Sequence, residues 1–145
     1  EYNNVINAPL SAGSRSSEFR TAFSEVIFPG LRKFSPDLLI VSAGFDAHAD
    51  DPLASLNLHE DDFSWVTLEL LSIAEKYSEG RLVSVLEGGY NLEALSSSAS
   101  VHVRQPVVAE PVALQQWTDA NGHTFRKMDD GSTMWWNGTD WQKYA

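Results

Sequence analysis

Two short stretches of this chain combine residues that can do chemistry with glycines that help to aim them. The first, Ser42-Ala43-Gly44-Phe45-Asp46-Ala47-His48-Ala49-Asp50-Asp51-Pro52-Leu53, places a carboxylate, Asp46, just beyond an apolar run. Gly44 lets the backbone bend so that Asp46 can turn inward. A carboxylate in that position must be paired, hydrogen-bonded or metal-bound, because an isolated buried charge is costly. The second stretch, Glu87-Gly88-Gly89-Tyr90-Asn91, places a phenol at the end of another apolar run, and its paired glycines permit close approach of backbone to a ligand. A tyrosine there can donate a hydrogen bond to a developing oxyanion. Each residue also has a plainer structural reading, Asp46 as the cap of its loop and Tyr90 as the anchor of a turn.

The elements that position these loops follow from hydrophobic spacing. Leu38 to Ser42 and Leu82 to Leu86 are continuous apolar runs, as expected of strands buried on both faces of a parallel sheet. Between Ser17 and Phe34 the apolar residues Phe19, Phe23, Val26, Ile27, Leu31 and Phe34 fall at helical spacing, opened by Ser16 or Ser17 as N-cap, with Pro29 expected to kink the last turns. Asp61 to Tyr77 is a second amphipathic helix, with Glu60, Asp61 and Asp62 complementing the dipole at its start. A last helix is predicted from Leu92 towards Val103, and Asn4 to Pro9 reads as a strand. Strand alternating with helix predicts an α/β fold, a partial open parallel sheet with helices flanking it on both sides. Ligand groups in such sheets sit in loops at the carboxyl ends of the strands, where both chemical loops lie.

Composition narrows the function classes. The 145 residues carry a net charge of -10, which opposes binding to nucleic acid or to an anionic membrane surface and suits a cationic substrate. No apolar run is long enough to span a membrane. With no cysteine, any metal must be held by oxygen and imidazole, and the composition fits a reducing cytoplasm. The chain starts at Glu1 without a methionine and is expected to be a piece of a longer protein.

Together, the phrases NAPL, PDLLIVSAGFDAHADDPLASLNL, EDDF and RLVSVLEGGYNLEAL resemble the C-terminal part of the zinc-dependent deacetylases of the arginase-deacetylase fold. These are the histone deacetylases and acetylpolyamine amidohydrolases, and the likeness is strongest to bacterial members akin to class II. It runs from Asn4 through Val103. The resemblance implies Asp46 as one of three protein ligands of a catalytic Zn2+, and Tyr90 as the residue that polarises the amide carbonyl and stabilises the oxyanion. Gly88 and Gly89 would line the channel floor. Leu53 would form an apolar rim where the eukaryotic polyamine-preferring members carry a glutamate. The implied substrate is acetylated lysine or an acetylated polyamine. The family's Asp-x-His motif and its adjacent His-His pair are missing: the histidines are His48, His59, His102 and His123. The resemblance puts His48 at a variable surface position, and His59 at a helix N-cap where it serves poorly. His102 reads as an ordinary helix-face residue. By itself the chain is expected to be inactive, with self-association through an unpaired sheet edge. A non-enzymatic deacetylase-like scaffold is the competing reading.

Residues 1–105 thus read as the deacetylase-like part and 106–113, with Pro106 and Pro111, as a linker. Residues 114–145 read as a Trp-rich antiparallel β-meander of about three strands, with turn signals at Asn121-Gly122, Asp130-Gly131 and Asn137-Gly138. Trp135 and Trp136, adjacent in a strand, should point to opposite faces, leaving one free to meet a partner the sequence does not identify.

Overall fold

A computed structural model describes residues 4–105, 113–128 and 131–144. The chain divides into two compact units, Glu1–Val108 and Ala109–Ala145.

In the first unit, β1 (Leu39–Ala43) and β2 (Leu82–Leu86) form a two-stranded parallel sheet, in register from Leu39 opposite Leu82 to Ala43 opposite Leu86. The crossover between them carries α3 (Glu60–Ser78), and α4 (Leu92–Val103) follows β2 and packs on α3. Ahead of β1, α1 (Ser16–Ala22) and α2 (Phe28–Phe34) are joined by a π-helical turn, Phe23–Ile27. Pro29 accounts for that turn. It has no N–H for the carbonyl four residues back, and its ring crowds that carbonyl, so the chain widens there. The Phe28 N–H reaches back to the Phe23 carbonyl, five residues away. The predicted kink is thus a π-bulge, and it precedes the proline. Arg15, not Ser16 or Ser17, is the N-cap of α1, and its N–H donates to Glu18 Oε2 at 2.9 Å.

Two clusters form the core. Phe28, Leu39, Leu70, Ile73 and Ala74 join α2 and α3 to β1, and Phe19, Phe45, Leu58 and Phe63 join α1 and α3 to the Asp46 loop. A buried carboxylate ties the helices: Asp62 accepts hydrogen bonds from Ser16 Oγ at 2.6 Å, Arg20 Nε at 3.0 Å and the His59 N–H at 3.2 Å.

Two expectations need correction. Residues 4–10 form no strand among the described residues; Val5 and Ile6 lie along α2, over Gly30, without a ladder partner. The strands are also not buried on both faces. Leu39 is buried while Ile40 is 67% exposed, and Val83, Val85 and Leu86 are exposed too. Among the described residues helices cover one face of the sheet only. No helix among them is long and apolar enough to cross a membrane.

The second unit is an antiparallel meander of four strands, not three: β3 (Ala113–Thr118), β4 (Thr124–Met128), β5 (Thr133–Trp136) and β6 (Trp141–Lys143). Three turn signals imply four strands, and Gly122, Gly131 and Gly138 adopt the positive φ that such turns demand. Ala113 opens β3, and the rest of the expected linker, with Asp130 of the second turn, lies outside the described residues. Trp117 stacks on Phe125, the Arg126 guanidinium sits 4.0 Å from the Trp141 ring centroid, and Trp135 is half-buried while Trp136 is exposed.

Candidate functional site

The parallel register brings the two chemical loops together. Past the end of the sheet the ladder continues by two bonds, Glu87 N–H to the Ala43 carbonyl at 3.0 Å and Phe45 N–H to the Gly88 carbonyl at 2.8 Å. Asp46 and Gly88 therefore meet. A Cβ placed on Gly88 would lie 2.7 to 2.9 Å from the carboxyl carbon and oxygens of Asp46, and one on Gly44 would lie 2.7 Å from Asp46 Oδ1. Gly44 thus serves by leaving space, and its φ is not positive. Gly89 does need glycine's freedom, at φ 141. Tyr90 follows with its side chain 57% exposed, and Leu53 is 69% exposed.

Asp51 locks this arrangement, and the sequence reading passed over it. Its carboxylate is buried and accepts the N–H groups of Leu53 at 2.9 Å and Ala54 at 3.3 Å on Oδ1, and that of Tyr90 at 2.8 Å on Oδ2. Burial pushes its pKa upward, but the Tyr90, Leu53, Ala54 and Asn91 N–H groups outweigh that and hold it below the usual aspartate value. Asn91 adds a second tie, donating from Nδ2 to the Asp50 carbonyl at 3.0 Å while its Oδ1 caps α4 by accepting from Glu93 and Ala94. An Asn immediately before a predicted helix is a readable cap signal. Asp51 shows only the local half of its role in the sequence, because its Tyr90 partner lies on the neighbouring loop, past the crossover.

Of three histidines, His48 and His102 depart from expectation and His59 meets it. His48 is 3% exposed, not on the surface: its Nδ1 accepts the Asp50 N–H at 3.1 Å, and its Nε2 points at Glu60 Oε2, 3.5 Å away. His59 is the N-cap residue of α3, but its side chain makes no cap; the Asp62 carboxylate takes that role from the third position of the helix. His102 is no ordinary surface residue, because it bridges Thr67 Oγ1 at 2.7 Å and Ser84 Oγ at 2.8 Å and packs edge-on against Phe45. Burial holds its pKa below the usual histidine value.

As a metal ligand Asp46 is suitably presented. Among the described residues its carboxylate accepts no hydrogen bond and pairs with no cation, and Gly44 and Gly88 leave the room it occupies. It belongs to no group of three metal-capable side chains among those residues, so it fits as one ligand and not as a complete set.

The chain is similar to known proteins over its first unit. Histone deacetylase 10, chloroplastic, of Oryza sativa subsp. japonica is 47% identical over 96 residues, which are 66% of this chain and 22% of that protein. Type-2 histone deacetylase 1 of Dictyostelium discoideum is 44% identical over 100 residues, 69% of this chain and 7% of the relative. The histone deacetylase-like amidohydrolase of Pseudomonas aeruginosa is 42% identical over 86 residues, 59% of this chain and 23% of the relative. The chain thus spans less than a quarter of the length of each of these relatives. Among solved structures, the histone deacetylase Clr3 superposes with a TM-score of 0.63 at 33% identity, covering 75% of this chain and 18% of that one. The HDA15 HD domain gives 0.60 at 34% identity, covering 65% and 26%. A family model of the histone deacetylase domain matches residues 1–106, and the chain belongs to the histone deacetylase family.

Proposed function

We propose that this chain supplies the Asp46 and Tyr90 part of a zinc-dependent deacetylase site that hydrolyses the amide of acetylated lysine or of an acetylated polyamine. The observation that carries this reading is the seating of the Asp46 carboxylate against Gly88, two residues from an exposed Tyr90, at the carboxyl ends of two parallel strands. Zinc, when bound, supplies a Lewis acid and lowers the pKa of a water. Asp46 holds the ion as one of its ligands. The Tyr90 phenol donates a hydrogen bond to the acyl oxygen, and Gly88, which makes space for the Asp46 carboxylate, and Gly89, which packs on Leu95 and Phe45, form the channel floor. Leu53 gives an apolar wall for the aliphatic stem of the acetylated amine, and the net charge of -10 favours a cationic carrier.

No adjacent histidine pair and no Asp-x-His motif beyond Asp46-Ala47-His48 exist in the sequence, and His48 faces Glu60. General base and remaining zinc ligands therefore come from other residues of the working enzyme, and this chain alone is expected to leave an acetyl-lysine peptide intact. The direct test is a chimera in which this chain's first unit replaces the matching stretch of the Pseudomonas amidohydrolase. Zinc-dependent release of acetate is expected, lost on chelation and with Asp46→Asn. Tyr90→Phe should lower kcat by about 100- to 1000-fold, the usual effect of removing an oxyanion donor. A folded chimera that binds zinc but leaves every acetylated amine untouched would sink the reading.

A further inference from the structure

Away from Asp46, one cluster of side chains lacks an explanation. The buried Nε2 atom of His48 makes no hydrogen bond of good geometry, and the Glu60 carboxylate faces it at ion-pair distance, Oε2 3.5 Å away. The His59 ring stands edge-on to that of His48, with centroids 5.5 Å apart. Ligand atoms of His48, His59 and Glu60 all lie within 4.8 Å of one another, the only such group of three among the described residues.

We propose that His48, His59 and Glu60 form a second divalent-metal site, suited to Zn2+, that ties the Asp46 loop to the start of α3. Two imidazoles and one carboxylate are a donor set for a borderline ion. Ligand atoms around a tetrahedral ion with bonds of about 2.1 Å stand about 3.4 Å apart. Glu60 Oε2 and His48 Nε2 already meet that spacing. His59 is exposed and is the ligand that rotates inward. The supporting contacts are in place: Ser97 Oγ donates to Glu60 Oε1 at 2.7 Å and so orients the carboxylate, leaving Oε2 for the metal.

Binding at Nε2 requires the proton on Nδ1, which now accepts the Asp50 N–H. The Asp50 carboxylate is 3.9 Å from Nδ1 on an exposed side chain, within reach to accept that proton and give the carboxylate–histidine–metal arrangement. The positive end of the α3 dipole opposes a cation there, and Glu60, Asp61 and Asp62 in the first turn counter it. His59 also borders a surface hollow with Arg15, Ser16, Ala49 and Asn57, so its ring has room to turn.

The test is a calorimetric titration of the Asp46→Asn chain with Zn2+, which removes the proposed deacetylase ligand and so separates this site from that one, with the unsubstituted chain in parallel. One equivalent is expected to bind to both. Adding His59→Ala, an exposed position whose loss leaves the core intact, should weaken binding at least tenfold, as should Glu60→Gln. No saturable binding by the Asp46→Asn chain, or a Kd unmoved by both substitutions, would overturn the proposal, whatever the chimera shows.

Discussion

Asp51 carries more of the site's geometry than its place in the sequence suggested. Both of its oxygens are in use, Oδ1 for Leu53 and Ala54 and Oδ2 for the Tyr90 N–H. In Asp51→Asn the amide nitrogen must face one of those donors, so one side of the tie is lost. A lower urea midpoint is expected, with a fall in chimera turnover because Tyr90 is no longer held. The pH dependence follows from the lowered pKa. A depressed carboxyl stabilises the fold above its ordinary value of 3.8, and that stability is lost as pH falls through the lower folded value. The gap between the original chain and Asp51→Asn should therefore be widest near neutrality and close in acid; a gap independent of pH would refute the role of the charge. Gly88→Ala acts on the other partner. Its methyl would enter the space of the Asp46 carboxylate, an overpacking cost of about 1–3 kcal/mol, and should weaken zinc in the chimera more than it weakens the fold. At this scale the sequence showed which residues face the chemistry, because Asp46 and Tyr90 follow apolar runs. It hid the tie from Asp51 to Tyr90, which meet only through the crossover, and the burial of His48, which the folding of its own loop sets against Glu60 at the start of α3.

Among the elements, the helices were legible and their capping was not. The apolar spacing located α3 and α4 to within a residue or so, and β2 as it stands. Capping followed a different logic from local preference. His59 occupies the N-cap position of α3, yet the buried Asp62 accepts the His59 N–H and holds Ser16 and Arg20 of α1 at the same time. One carboxylate thus caps one helix and docks another, which spacing along a single helix does not reveal. Replacing it with alanine should cost about 3 kcal/mol, since hydrogen bonds to a charged group are each worth more than neutral ones; loss under 1 kcal/mol would show the tie to be incidental. Asn91 is the legible counterpart. Asn91→Ala removes the cap of α4 and the tie to the Asp50 carbonyl together, and a loss of about 1–2 kcal/mol is expected in denaturant unfolding. The stretch from Asn4 to Pro9 misled for a physical reason. Ile6 touches α2 at Gly30 while Val5 stays exposed, and a strand exists only where a neighbour offers a ladder.

For the molecule as a whole, the runs Leu38 to Ser42 and Leu82 to Leu86 have the composition of strands buried on both faces, and among the described residues they are covered on one. Ile40 at 67%, Val83 at 49% and Val85 at 48% exposure share the other face and are composition suited to an interior set on a surface. Among the described residues β1 and β2 are also each paired on one side only, leaving unmatched N–H and C=O groups along both edges of their sheet. Apolar face and open edge coincide, and that combination favours a partner surface over water. The net charge of -10 opposes association at low salt, and screening weakens that opposition as salt rises. The chain is therefore expected to elute from size exclusion as a dimer or larger, more so at high salt than at low. Ile40→Lys and Val83→Lys together would set charge on the exposed face and should return it to a monomer without loss of helical circular dichroism. A clean monomer of the unsubstituted chain at all salt concentrations would mean that this face is covered by other means.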